Sequence, residues 1–218
     1  MLGMWAGVSE ATLTSFTSKS GFDAAIAGLS ASQTVDFEAV ATGTLFPTGT
    51  GTGGLTFTYA IAGPSTLQVS SMFGTTSGAN YLGLDNPDTA FYLGDSFTID
   101  FNRTVHAVGL YVIAGSDAQA GDMQLSVAGG AVTNSAVADT LVSDGQAFYL
   151  GLVESDPGLG FTSAVVTGVI STPNAFLAFT VDDITSATRG TEAVPEPGTW
   201  VLLLTGLGLV SALARNRR

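Results

Sequence analysis

Cysteine is absent from the 218 residues, which removes disulfide frameworks, thiolate zinc sites and cysteine nucleophiles together. The fold must stand on its apolar core. Basic residues are scarce too, with six Lys and Arg against eighteen Asp and Glu. Between Thr12 and Glu192, sixteen carboxylates face only Lys19, Arg103 and Arg189, a net charge of about −13. Nucleic-acid binding works through a basic stripe that displaces counterions. No such stripe exists outside the last four residues, so nucleic acid is excluded as a partner. There is a single histidine, His106, at a predicted strand start and in phase with Val108 and Leu110. That is the position of a packed side chain rather than of a catalytic base. No Gly-x-Ser-x-Gly turn and no glycine-rich phosphate loop opens a helix.

What is present is β-forming. Charged residues make up only 11% and hydrophobic ones 45%, with 28 glycines, the composition of a sandwich or barrel. Short predicted strands separated by glycine turns cover Thr34 to Glu38, Gly54 to Ile61, Thr66 to Ser70, Ser96 to Phe101, Val105 to Ile113, Met123 to Val127, Phe148 to Val153, Ala164 to Val169 and Ala175 to Asp182. Alternation puts Phe97, Ile99 and Phe101 on one face, and Val108, Leu110 and Val112 on one face of the next strand. Asn102-Arg103 between them reads as a tight hairpin connection. One helix, Phe22 to Leu29, follows Ser20-Gly21 and aligns Phe22, Ile26 and Leu29. The expected fold is all-β, a jelly-roll-like antiparallel β-sandwich with one short N-terminal helix.

Two acidic clusters stand near the ends of this domain, Asp36-Phe37-Glu38 and Asp182-Asp183. First and last strands of a jelly roll lie side by side, so Asp36, Glu38, Asp182 and Asp183 are candidates to converge on a hard cation such as Ca2+. Solvated carboxylates at strand edges are the other reading. Asp85-Asn86-Pro87-Asp88 and Glu154-Ser155-Asp156-Pro157-Gly158 have the chemistry of surface turns. Tyr81, Phe91, Tyr92, Tyr111 and Tyr149 are either core aromatics or a sugar-stacking platform. Paired carboxylates of the glycosidase kind are compatible with so acidic a chain.

Both ends carry addresses. Leu2 to Val8 is apolar and precedes Ser9-Glu10-Ala11, with small residues at the −3 and −1 positions of a signal-peptidase site. Lacking a basic leader, residues 1–11 read as the remnant of a signal peptide. At the far end, Val194-Pro195-Glu196-Pro197 precedes an uncharged apolar stretch from Trp200 to Ala214, then Arg215-Asn216-Arg217-Arg218. Arg215, Arg217 and Arg218 stay on the cytoplasmic side of such a span, and Trp200 sits where an interfacial anchor belongs. The stretch is shorter than the roughly 20 residues of a stable span.

In this order of parts the tail resembles the PEP-CTERM sorting signals. The resemblance implies a transient transmembrane sorting helix, recognition by an exosortase and processing near Pro195-Glu196-Pro197. It also implies delivery to the surface or matrix of a Gram-negative bacterium, in the setting of exopolysaccharide and biofilm. More locally, the Asp-Phe-Glu and Asp-Asp-Ile ends resemble those of MAM-like and carbohydrate-binding-module-like jelly rolls, which implies a structural calcium.

The expected organisation is a leader remnant (1–11), a sandwich (12–185), a linker (186–193) and a sorting tail (194–218). The expected function is a non-enzymatic surface or matrix protein that binds polysaccharide or forms part of the extracellular layer. The alternatives are a secreted polysaccharide hydrolase with two carboxylates and a calcium-stiffened structural module.

Overall fold

A computed structural model describes residues 13–190 apart from 60, 62, 129, 131 and 170–176. After β1 (Leu13–Phe16) comes helix α1 (Lys19–Ile26), then β2 (Ala31–Val35), β3 (Leu45–Phe46), β4 (Leu55–Tyr59), β5 (Leu67–Ser70), β6 (Tyr81–Leu84) and β7 (Phe91–Tyr92). The second half contains β8 (Ser96–Val105), β9 (Ala107–Ala114), β10 (Met123–Val127), β11 (Val132–Asn134) and β12 (Thr140–Val142). It closes with β13 (Gly145–Glu154), β14 (Phe161–Gly168) and β15 (Ala178–Thr188). Among the described residues no helix is long and apolar enough to cross a membrane.

The strands form two antiparallel sheets. One, of ten strands, runs β1-β13-β9-β15-β6-β5-β3, with β12 on β13 and with β2 and β7 on β15. The other, of five, runs β11-β10-β14-β8-β4. Among the described residues this is the jelly-roll-like sandwich with one short N-terminal helix that the pattern predicts. Between the sheets lies a core in which Phe97, Ile99 and Phe101 meet Val108, Leu110 and Val112. Phe91 stacks between Phe97 and Phe179 at 5.0 and 5.2 Å.

On β8 the half-exposed Ser96, Thr98 and Asp100 alternate with buried partners, because its other face meets water. β9 is buried at every position. Its outer face is covered by α1, whose Phe22 and Ile26 pack on Tyr111, Ile113 and Tyr149. Ser18 caps that helix at the Gly21 amide, so it starts and ends three residues earlier than the apolar pattern alone predicts. Room for Phe22 comes from Gly109 and Gly151, paired across β9 and β13. A Cβ at Gly151 would stand 2.7 Å from the Phe22 ring.

Three expectations need correcting. Asn102-Arg103 is no hairpin: β8 continues to Val105, and its pairing with β14 jumps from Asp100↔Ser163 to Val105↔Phe161, so these residues form a bulge. At His106 the chain then crosses to the other sheet. Strand β2 ends at Val35, because Phe37 takes a left-handed φ of 61° and turns the chain. Finally, Ser186–Thr188 are not linker. They belong to β15 and pair with β2 and β9.

Candidate functional site

Strand parity decides what the outer face of the ten-stranded sheet presents. Along β15, Phe179 and Val181 point into the core, so Thr180 and Asp182 point outward, opposite Ile113 and Tyr111 of β9. Near Asp182 the ladder shifts register, and Asp183 there adopts a φ of 52°. The Thr76 hydroxyl lies 3.0 Å from a carboxylate oxygen of each residue.

Asp182 is fully buried. Its Oδ2 accepts from the Thr76 and Ser77 amides, both at 3.1 Å, and its Oδ1 accepts from the Asp183 amide. Burial, followed by the charge of Asp183, pushes its carboxyl up to about 7, while these donors pull it back.

The same loop is held at both ends. Glu38 Oε1 accepts from the Ala79 and Asn80 amides at 2.8 and 2.6 Å, and Asp144 Oδ1 accepts from the Gly74 amide at 2.8 Å. Asp144, Asp182 and Glu38 thus take five backbone N–H groups between Gly74 and Asn80. The sandwich does bring β2 beside β15, with Val35 opposite Ile184.

Even so, Asp36 turns to the Glu38 amide, and among the described residues no group of three such ligands assembles to hold a metal ion. A calcium site surrounds its ion with oxygen lone pairs. Here amide donors already face Asp36 Oδ1, Glu38 Oε1 and both oxygens of Asp182, and the Thr76 hydroxyl faces Asp183 Oδ2, so these carboxylates as placed are engaged within the protein instead of turned together on one ion.

Beside this loop the outer face opens into a cavity of about 260 Å3, lined among others by Phe73, Ile113, Asp117, Asp144, Gly145 and Thr180. Phe73 is 37% exposed and stacks on the buried Tyr81 at 6.2 Å. The Tyr81 hydroxyl is in turn fixed to Thr89 at 2.6 Å. One ring is thereby held at the rim with area left for a partner. The Thr180 hydroxyl is buried without a hydrogen-bond partner, and Asp117 and Asp144 are exposed carboxylates.

The remaining candidates are structural. Tyr81, Phe91, Tyr111 and Tyr149 are buried. Burial and the Asp139 contact raise the Tyr111 hydroxyl above its usual range, while Tyr149 is raised chiefly by burial. Tyr92 binds Asp88, which together with burial lifts it to about 12.

His106 Nδ1 accepts from the Arg189 amide, so its other nitrogen is the one that carries hydrogen toward the Pro157 carbonyl. It is a packed histidine. Asn86 closes its turn onto Ala90, and Glu154 and Asp156 cap the loop after β13.

The tail supplies what the sandwich does not. Residues 193–218 match the PEP-CTERM protein-sorting motif. Val194, Pro195, Glu196, Pro197, Trp200, Arg215, Arg217 and Arg218 fall within that match and outside the described residues. No curated protein matches the chain.

Among solved structures it is similar to the C-terminal family 22 carbohydrate binding module of Clostridium thermocellum Xyn10B. Identity is 15% over 75% of this chain and 96% of that one, with a TM-score of 0.37. It is also similar to a xylan-binding domain of family 22, at 13% identity over 70% and 98% of the two chains and a TM-score of 0.34.

Phe73, Asp117, Asp144 and Thr180 are the residues that sequence reading missed. The one available signal was Met72-Phe73, two large apolar residues inside a Ser/Thr/Gly loop.

Proposed function

We propose that the chain is exported as an exosortase substrate and displays, on the cell surface or in the extracellular matrix, a sandwich that binds polysaccharide in the outer-face cavity. The exposed ring of Phe73, clamped by Tyr81 at the cavity rim, carries the binding half. A rigid aromatic face stacks on the C–H face of a sugar with little entropy left to lose. The cavity is a little smaller than the roughly 300–1,000 Å3 of small-molecule pockets, which suits one unit of a longer glycan. The sorting motif supports the exported half, and an exopolysaccharide-rich biofilm around a Gram-negative cell belongs to the same proposal.

Affinity electrophoresis against a panel of polysaccharides tests it. At least one should retard the wild type, and Phe73→Ala should lose most of the retardation while melting within a few degrees of it. No retardation by any polymer, or an unaffected variant, removes the binding half.

A hydrolase is favoured by one observation, two carboxylates on one cavity. A glycosidase acid, however, is tuned by an apolar, water-poor pocket, and Asp117 and Asp144 are both exposed. Release of reducing ends that is lost in Asp117→Asn would reverse this choice.

A further inference from the structure

We propose that the glycan unit seated in this cavity carries a free amine, so that the ligand is an amino-sugar polymer rather than a uronate or a fully neutral one. The proposal rests on the glycan-binding reading above and narrows it. None of the lining residues is basic, whereas Asp117 and Asp144 both line the cavity.

Of the two, Asp144 is held in place by hydrogen bonds. Gly74 N–H holds Asp144 Oδ1 at 2.8 Å, with the Ser143 hydroxyl at 3.4 Å. Asp117 folds back over the end of β9, where a Cβ on Gly115 would stand 2.8 Å from its Oδ1. An independent observation marks the floor as a place for a polar ligand. Thr180 is 3% exposed, its hydroxyl has no partner, and strand parity turns it to the cavity side. A buried hydroxyl is ordinarily bonded, so an incoming hydroxyl or a water it carries completes this one.

Charge excludes the opposite class. With a net charge of −12 and no lining cation, a carboxylated polymer approaches against the field and finds nothing to pair with, while an ammonium is drawn in. Two exposed ion pairs of this kind together give about a 2- to 30-fold preference.

Calorimetric titration of the full chain in detergent micelles with three probes of equal length tests this: a chitin oligosaccharide, its deacetylated chitosan counterpart and an alginate oligosaccharide. The deacetylated probe should bind about 2- to 30-fold more tightly than the acetylated one. Raising the salt toward 1 M, where screening acts within about 3 Å, should abolish that ratio. Asp117→Asn with Asp144→Asn should bring the ratio to about one at low salt. Equal binding of the two chitin-type probes, or alginate binding as well as the amine, overturns the amine assignment and leaves glycan binding standing. Failure of all three, together with failure of the polysaccharide panel, removes the glycan reading itself.

Discussion

The Thr76 amide and hydroxyl both reach Oδ2 of Asp182, 106 residues further along the chain, at 3.1 and 3.0 Å. That contact ties the loop beside the cavity to a central strand, and it does so through a buried acid whose proton affinity is raised by its surroundings.

The sign of the resulting pH dependence is the reverse of the usual carboxylate case. Asp182 titrates at about 7 in the folded chain and at about 3.9 when unfolded. Between these values the folded state keeps a proton that the unfolded state has lost. Its contribution to stability is therefore full below pH 4 and declines as the pH rises to about 7. Melting midpoints from pH 4 to 8 should fall more in the wild type than in Asp182→Asn. Parallel curves would mean that Asp182 is ionised throughout.

Calcium should leave the midpoint unchanged. A ligand that binds only the folded state raises stability by mass action, but the acceptor oxygens of Glu38 and Asp182 already face amide donors. Melting in millimolar calcium and in chelator should coincide. A higher midpoint with calcium would show that the loop between Gly74 and Asn80 rearranges to admit the ion.

Gly151→Ala should destabilise the domain by about 1–3 kcal/mol, the usual range for overpacking a full site. The added methyl would press on Phe22 Cδ2 at 2.7 Å and on Tyr149 Cε1 at 3.1 Å. Urea denaturation gives the number. No change in the urea midpoint would show that α1 yields freely.

Replacing Glu196 with Ala should leave the tail attached and hold the chain in the membrane fraction of its own host, as read by intact mass. Unchanged trimming and release would separate the motif from processing.

Much of the sandwich was legible because its core faces alternate. Phe97, Ile99 and Phe101 on β8 announce their buried side without any knowledge of the partner sheet. Bulges and crossings were not legible. Asn102-Arg103 has turn chemistry, yet it bulges because β14 fixes the register from a distance. Phe37 is apolar and in strand phase, and only its φ of 61° reveals the turn. The acidic clusters could be located from the sequence, but their use could not. Whether a carboxylate meets a cation or an amide depends on where the loop between Gly74 and Asn80 lands, and no periodicity encodes that. The cavity was hidden for the same reason, since Phe73, Asp117, Asp144 and Thr180 come from separate segments.

One consequence concerns mechanics. β15 lies inside the ten-stranded sheet, bonded to β9 on one side and to β2, β6 and β7 on the other, and Thr188 is the last residue of that strand. Tension applied at the C-terminal end of β15 therefore enters along an interior strand. Hydrogen bonds in an antiparallel ladder run across the strands, so such a pull loads the Ala31–Val35 and β9 ladders in shear, many bonds at once, instead of unzipping them singly from an edge.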